Sequence, residues 1–170
     1  LSLHELSATL RFISLAGFDT TANTLSLLTH LLALHPDIQE NARKELKECD
    51  LSPSSLSNLP LLNAIIMECL RIFPHASPLQ TRRCTSSVEL KPGVFIHEGV
   101  DVLVDTWSLH KSCRLWGEDA DSFRPDRFHP RLASFTPFGI GPRQCIGMRL
   151  ALLEIRMTLA LLLTAFHLSK

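Results

Sequence analysis

Apolar residues recur every three or four positions along much of the chain, which is the spacing of amphipathic helices. The first such segment covers residues 1–35, and apolar residues surround it on all sides from Thr24 to Leu34. Pro36 ends this helix, and a charged amphipathic helix follows over residues 37–49. The pattern therefore predicts a long first helix whose second half is buried.

A helix over residues 61–73 is almost wholly apolar, so its few polar residues are informative. Glu68 and Arg71 lie three positions apart and share one face of this helix. An exposed ion pair of this kind contributes almost nothing, but this helix has too little polar surface to be exposed. Because a buried pair needs further partners to offset desolvation, we expect Glu68 and Arg71 to have them.

The pattern changes over residues 79–104, where Pro92-Gly93 and the turn at residues 97–99 separate short apolar runs. Such runs are typical of strands in hairpins, so we predict a small antiparallel sheet. Residues 105–116 are predicted to form another helix, and residues 146–168 a long apolar one. At 170 residues the chain is predicted to be a single, mainly helical α+β domain over residues 1–170.

Charge and cysteine usage give limited information about partners and compartment. The 17 basic and 17 acidic side chains balance, which gives no indication of a nucleic-acid partner. Five cysteines without a C-x-x-C pair favour a reducing compartment. The apolar stretch closest to membrane-spanning length, residues 150–168, carries Glu154 and Arg156, so a buried helix explains it better. We see no signal peptide, and the start at Leu1 inside a helical pattern suggests a piece of a longer chain.

The loop at residues 138–147 combines groups that suit one cofactor. Cys145 lies where a loop enters a helix, and backbone N–H groups and the helix dipole there favour the thiolate. Glycines such as Gly139 and Gly147 let a large flat ligand approach the backbone. Arg143 offers donors for a carboxylate. These are the requirements of an axial thiolate on a haem iron with propionates, although a lone cysteine is more often a buried structural thiol.

Read as F-x-x-G-x-R-x-C-x-G, this loop resembles the haem-binding loop of the cytochrome P-450 family, the haem-thiolate monooxygenases. Three further stretches are similar to family motifs in the same order: A-G-x-D-T-T at residues 16–21, E-x-x-R at Glu68 and Arg71, and P-x-R-F at residues 125–128. The resemblance implies haem b (iron protoporphyrin IX) as cofactor and Cys145 as its axial iron ligand. It also implies contacts from the other loop residues, Phe138, Gly139, Arg143 and Gly147.

The resemblance assigns an oxygen-activating role to the first helix. Thr20 would hydrogen-bond iron-bound dioxygen, and Asp19 would link it to solvent protons where the family's helix opens beside the haem. The residues alone allow an alternative, in which threonine hydroxyls bond back to the preceding turn and bend the helix. Arg82 falls where the family places an arginine on a haem propionate, although a surface arginine fits as well.

Other family motifs suggest structural support and partner contacts. Glu68, Arg71 and Arg127 would form a buried charge network that locks the cysteine loop. Three arginines near the cysteine, Arg131, Arg143 and Arg149, would face the electron donor, with ordinary surface arginines as the alternative for Arg131 and Arg149. His110 lies in a stretch that departs from the family's H-R-D-P-x-x-W, so we expect no specific role for it.

We therefore interpret the chain as the C-terminal portion of a helical haem-thiolate monooxygenase fold with a small antiparallel sheet. Its segments are the oxygen-activating helix (1–35), the E-x-x-R helix (61–73), the small sheet (79–104), the P-x-R-F and cysteine loop (123–147) and the proximal helix (146–168).

The implied function is insertion of one oxygen atom from O₂ into a small, lipophilic organic substrate, with electrons from a flavoprotein reductase or a ferredoxin-type donor. The alternatives are a truncated or degenerate product without activity, and a haem-binding or helical interaction module. Full-length relatives would lie on the endoplasmic reticulum membrane through an N-terminal anchor that we do not find here.

Overall fold

The computed structural model describes residues 2–75, 81–128 and 134–170. Its helices are α1 (Leu3–Leu34), α2 (Pro36–Leu46), α3 (Pro53–Ser57), α4 (Pro60–Ile72), α5 (Thr106–Lys111), α6 (Cys113–Trp116) and α7 (Met148–Ala165). Its strands are β1 (Thr81–Arg83), β2 (Val88–Lys91), β3 (Val94–Ile96) and β4 (Asp101–Leu103), and short 3-10 turns cover Pro125–Arg127 and Gly141–Arg143. The predicted fold class, mainly helical with a small antiparallel sheet, is confirmed.

The strands form two antiparallel pairs. Strands β2 and β3 form a hairpin. Strand β1, which precedes this hairpin in the sequence, pairs with β4, which follows it. The predicted range began at residue 79, but residues 79 and 80 lie outside the described part of the chain. The small sheet is thus two two-stranded ribbons whose residues are mostly exposed.

Helix α1 runs without interruption for 32 residues. Ser2 and Glu5 form a capping box at its start, because each side chain accepts a hydrogen bond from the backbone N–H of the other. The first half of α1 is exposed, whereas Thr24, Leu28 and neighbours in the second half reach the core. Leu34 remains 37% exposed, so burial covers one face and not the whole circumference as predicted.

The core forms where α1, α2 and α7 surround α4. Residues of α4 are apolar on most sides, and Leu62, Ile65 and Ile66 are fully buried. They pack with Leu32 of α1 and Leu159 of α7, which are also fully buried. Burying such side chains provides most of the folding free energy, about 1.5–3 kcal/mol for each.

Polar side chains of α2 hold the end of α7. The buried Gln39 amide donates to the Leu32 and Leu168 carbonyls at 3.0 and 2.9 Å, and it accepts from the Leu168 N–H at 2.9 Å. Arg43 donates to the carbonyls of Leu163 and Phe166. These contacts satisfy carbonyls that a helix end otherwise leaves without partners. Helix α7 is therefore fixed against α2 at its C-terminal end.

Several predicted boundaries differ from the structure, including those of α1 and α2. Helix α4 covers Pro60–Ile72 where we predicted 61–73, and α7 covers Met148–Ala165 where we predicted 146–168. The single helix predicted over residues 105–116 is wrong, because Ser112 is extended and separates α5 from α6. After this break Trp116 is buried, and its indole N–H donates to the Leu109 carbonyl of α5 at 3.1 Å. Within the described residues, no helix combines the length and the apolar character needed to cross a membrane.

Candidate functional site

A buried carboxylate on α4 gathers charged groups from distant parts of the chain. Glu68 is 0% exposed. Arg71 donates from Nε to Glu68 Oε2 and from Nη2 to Oε1, both at 2.8 Å. Arg127 donates from Nε to Oε1 at 2.9 Å, and the Arg124 backbone N–H donates to the same oxygen at 3.0 Å. The structure therefore brings together the three residues that the sequence grouped, Glu68, Arg71 and Arg127.

The same arginines bind backbone carbonyls of α5 and of the segment that follows it. Arg71 Nη1 donates to the His110 carbonyl at 2.8 Å. Arg127 Nη1 donates to the Trp116 carbonyl and Nη2 to the Asp119 carbonyl, both at 2.8 Å. Each guanidinium group therefore has N–H groups that donate to backbone carbonyls in addition to those that donate to Glu68. These extra hydrogen bonds offset the cost of burying the charges.

Asp119 and Arg124 extend the network and were missed by sequence reasoning. Asp119 accepts from Arg127 Nη1 at 3.0 Å and from Arg124 Nη1. Hydrogen bonds from Arg127 and then Arg124 lower the pKa of Asp119 to about 2. Both residues lie in an irregular segment, where no repeating spacing indicates which side chains will meet.

The cysteine loop is closed by its own backbone. The Cys145 N–H donates to the Phe138 carbonyl at 2.8 Å, and the Gly139 N–H donates to the Thr136 carbonyl at 3.0 Å. Gly139 and Gly141 have φ angles of 73° and 75°, a region that glycine enters without strain. This narrow turn leaves the Cys145 side chain exposed. A Cβ at Gly147 would lie 3.9 Å from Cys145 Sγ, so glycine keeps the space beside the sulfur open.

An apolar pocket of about 210 Å³ lies beside this loop. Its lining comes from α4, from the loop and from the start of α7: Met67, Phe135, Thr136, Pro137, Phe138, Gly139, Met148 and Leu152. Loop residues flanking the cysteine are exposed instead, with Ile140 at 71% and Ile146 at 98%. The loop therefore presents its thiol among exposed apolar side chains.

These groups fit a haem with a thiolate ligand. Among the described residues, no three His, Cys, Asp or Glu side chains are arranged to hold a metal ion. A single cysteine is a sufficient protein ligand when a porphyrin supplies the other four equatorial ligands. Exposed Ile140 and Ile146 offer apolar surface to a flat ring. Arg143 is exposed and has no ion-pair partner in the described part of the chain, so its guanidinium is available for a carboxylate.

Two adjacent arginines on β1 differ in their partners. Arg83 forms a bidentate pair with Asp101, with N–O distances of 2.8 and 2.9 Å. Arg82 is exposed and donates only to the Thr81 carbonyl, at 2.9 Å, among the described residues. Of the two, Arg82 is therefore the one whose guanidinium has no acidic partner within the described ranges.

The predicted acid–alcohol pair lies on the exposed half of α1. Asp19 and Thr20 are both exposed, and the helix is continuous through them. Thr20 Oγ1 donates to the Ala16 carbonyl at 2.9 Å, which is the back-bonded arrangement we gave as the alternative. The hydroxyl proton is thus engaged with the preceding turn, and the oxygen retains lone pairs that can accept.

His110 is a buried member of the site for which we expected no specific role. Its Nε2 accepts a hydrogen bond from the Thr136 N–H at 3.0 Å, and its ring packs 5.3 Å from that of Phe135. Burial, with a smaller contribution from the charge of Arg71 and against opposing backbone groups, lowers the pKa of His110 to about 4. The imidazole is therefore neutral near pH 7.

The basic groups predicted to meet an electron donor are only partly described. Arg143 is exposed in the loop before α7, and Arg149 is exposed at the start of α7. Arg131 lies outside the described residues.

Comparison with known proteins gives one consistent family. The model of the cytochrome P450 family matches residues 1–170. CYP13A6 of Caenorhabditis elegans, a curated cytochrome P450 relative, is 40% identical over 98% of this chain and 34% of its own length. CYP13A3 of the same organism is 40% identical over 99% of the chain and 34% of its length, and CYP13A10 is 40% identical over 89% and 31%. The chain thus spans about a third of the length of these relatives.

Proposed function

Because the chain belongs to the cytochrome P450 family, we propose that it forms the haem-binding and oxygen-activating portion of a monooxygenase. The reaction inserts one oxygen atom from O₂ into a small, lipophilic organic substrate. The observation that carries this proposal is the exposed Cys145 on its glycine-rich turn. The turn comes after Arg127 in the chain, and Arg127 belongs to the buried ionic network around Glu68. Bound haem supplies the oxygen chemistry, and the chain's residues supply binding, orientation and protons.

Cys145 is the proposed axial ligand of haem b. Its exposure and the open space beside Sγ at Gly147 support this role. Phe138 and Gly139 line the apolar pocket beside the loop and would support the porphyrin. Arg143 and Arg82, both exposed guanidinium groups without acidic partners among the described residues, would bind its propionates.

Proton delivery is assigned to α1. Thr20 Oγ1 donates its proton to the Ala16 carbonyl and keeps lone pairs that would accept a hydrogen bond from a ligand. The carboxylate of Asp19 is exposed and open to solvent. Together these two side chains would carry protons from solvent toward a bound haem.

Electrons would come from a flavoprotein reductase or a ferredoxin-type donor. Exposed Arg143 and Arg149, next to the cysteine loop, support a basic docking surface on this side. Arg149→Glu should then slow reduction of the iron, and more strongly at low salt, because screening weakens exposed charge pairs. Arg114→Glu, at an exposed arginine on α6, is the control. A full-length protein of this family would sit on the endoplasmic reticulum membrane.

Titration of the purified chain with haem tests the ligand. We expect the CO-bound ferrous form to show the red-shifted Soret band of thiolate ligation, and Cys145→Ser to lose it. Cys113→Ser is the matched control, since Cys113 is also exposed and should leave the band unchanged. A Cys145→Ser variant that keeps the band refutes the assignment.

Product formation with a reductase and NADPH separates an enzyme from a protein that only binds haem. Thr20→Ala should divert electrons from product to peroxide. Thr29→Ala removes another back-bonded hydroxyl of α1, which donates to the Ser26 carbonyl at 2.9 Å, and should keep coupling unchanged. Tight coupling in Thr20→Ala contradicts the proton role.

A further inference from the structure

The last turn of helix α5 carries a histidine, His110, that touches both the buried charge network and the loop that leads to the cysteine. The His110 side chain is 0% exposed. On its backbone side, the carbonyl accepts from Arg71 Nη1 at 2.8 Å. On its side-chain side, Nε2 accepts from the Thr136 N–H at 3.0 Å. His110 is thus a direct connection between α4 and residue 136.

The backbone continues this connection to the proposed ligand. The Thr136 carbonyl accepts from the Gly139 N–H at 3.0 Å. The Phe138 carbonyl then accepts from the Cys145 N–H at 2.8 Å. A displacement of Thr136 would therefore move both ends of the turn that presents Cys145.

The ring is fixed by packing as well as by its hydrogen bond. Its centroid lies 5.3 Å from that of Phe135 and 6.4 Å from that of Trp116. Phe128 packs edge-on against Phe135 at 4.6 Å. These aromatic contacts hold the imidazole in the orientation that aims Nε2 at the Thr136 N–H.

We propose that His110 is a positioning residue for the cysteine loop: its unprotonated Nε2 anchors the Thr136 N–H, and thereby sets where Cys145 lies relative to α4. The anchoring concerns the chain alone, whereas its effect on haem ligation rests on the proposed function. Only the neutral tautomer with its proton on Nδ1 can accept at Nε2. Within the described residues Nδ1 has no hydrogen-bond partner of its own.

Burial and the nearby charge of Arg71 favour this neutral form. Arg71 and its partner Glu68 approach from α4. Lys111, the next residue on α5, directs its ammonium toward Asp121 at 3.6 Å and over the Trp107 ring. Burial lowers the pKa of the imidazole to about 4, and Arg71 opposes a second positive charge nearby. A proton on Nε2 would place two donors face to face.

Two variants separate the hydrogen bond from the ring. His110→Phe keeps an aromatic ring but removes the acceptor, and His110→Gln keeps an acceptor oxygen at a similar reach. Amide hydrogen exchange by NMR reports the Thr136 N–H directly in the chain without haem. We expect protection of Thr136 to fall about tenfold in His110→Phe, the value of one hydrogen bond, and to be largely restored in His110→Gln. The Phe73 N–H, which donates to the Cys69 carbonyl at the C-terminal end of α4, is the internal reference.

Each outcome decides the proposal. Unchanged Thr136 protection in a folded His110→Phe variant overturns it, as does an equal loss at Phe73, which indicates general loosening. Should His110→Phe not fold, ¹⁵N spectra of the wild-type imidazole still decide, since a proton found on Nε2 refutes the anchoring.

Haem loading then tests the consequence for the site. We expect His110→Phe to show a mixed Soret spectrum of the CO-bound ferrous form and His110→Gln a wild-type one. If the wild-type chain binds no haem, the proposed function fails, while the amide exchange still decides the role of His110.

Discussion

Replacing Glu68 by glutamine changes one charge in the buried network while keeping the shape of the side chain. The Glu68 carboxylate accepts hydrogen bonds from the side chains of Arg71 and Arg127 and from the backbone N–H of Arg124. A glutamine oxygen in the place of Oε1 would retain three of these donors. Its NH₂ group would then face Arg71 Nε, 2.8 Å from the present Oε2, with two donors opposed.

The expected cost follows from burial. Arg71 is 0% exposed and the Arg127 side chain 8%, so solvent cannot replace the lost charge. Removing one partner of a buried pair costs about 3–5 kcal/mol. Since domains of this size are stable by only about 5–15 kcal/mol, Glu68→Gln should lower the free energy of unfolding by a large fraction.

Urea denaturation measures this change. Trp116, whose ring lies 5.1 Å from the Arg71 guanidinium carbon, provides a fluorescence signal close to the network, and far-UV circular dichroism follows the helices. The matched control is Asp126→Asn, because Asp126 pairs with Arg124 at 3.0 Å but is 72% exposed. Exposed pairs contribute below about 1 kcal/mol, so this control should unfold almost as the wild type does. Equal unfolding free energies for the two variants would refute the assigned weight of the buried carboxylate.

Three further perturbations have defined outcomes. Acidification should weaken the fold through His110, because its pKa is about 4 when folded and about 6.5 when unfolded. The stabilisation from the neutral His110, up to roughly 3 kcal/mol, is complete above pH 6.5 and is lost as the pH falls to about 4. Between these pH values the urea midpoint of the wild type should therefore fall more steeply than that of His110→Phe. Gln39→Ala should cost about 1–3 kcal/mol, because carbonyls of Leu32 and Leu168 lose their buried donor; unchanged exchange at the Leu168 amide would contradict this. Gly141→Ala should cost about 1 kcal/mol from its φ of 75° alone, since no atom lies within 4 Å of the added Cβ, and a loss of several kcal/mol in thermal melts would disagree.

The sequence was most informative where a regular element carried the signal. Glu68 and Arg71 could be paired because three-residue spacing on a helix places them on one face, and the apolar surroundings predicted their burial. Arg127 could be added only through the family resemblance. No spacing rule connects a helix residue to an arginine 59 positions later.

Other members of the site could not be read from the chain. Asp119 and Arg124 occupy irregular turns, where side-chain direction depends on the final fold and not on a local repeat. His110 gained its role from a contact with residue 136, formed across the break at Ser112 that the helical pattern did not reveal. The pairing of β1 with β4 was also hidden, because each strand has three residues and a whole hairpin lies between them.

The residues proposed for chemistry and the residues that stabilise the fold differ in their exposure to solvent. Cys145, Thr20 and Arg143 have exposed side chains, whereas Glu68 and Arg71 are fully buried. Surface substitutions away from caps and strained positions usually change stability within about 0.5 kcal/mol. A loss of haem ligation in Cys145→Ser with an unchanged unfolding free energy would therefore report the ligand itself. Loss of ligation in Glu68→Gln, by contrast, must be compared at equal fractions of folded protein, because that variant acts on the support beneath the loop.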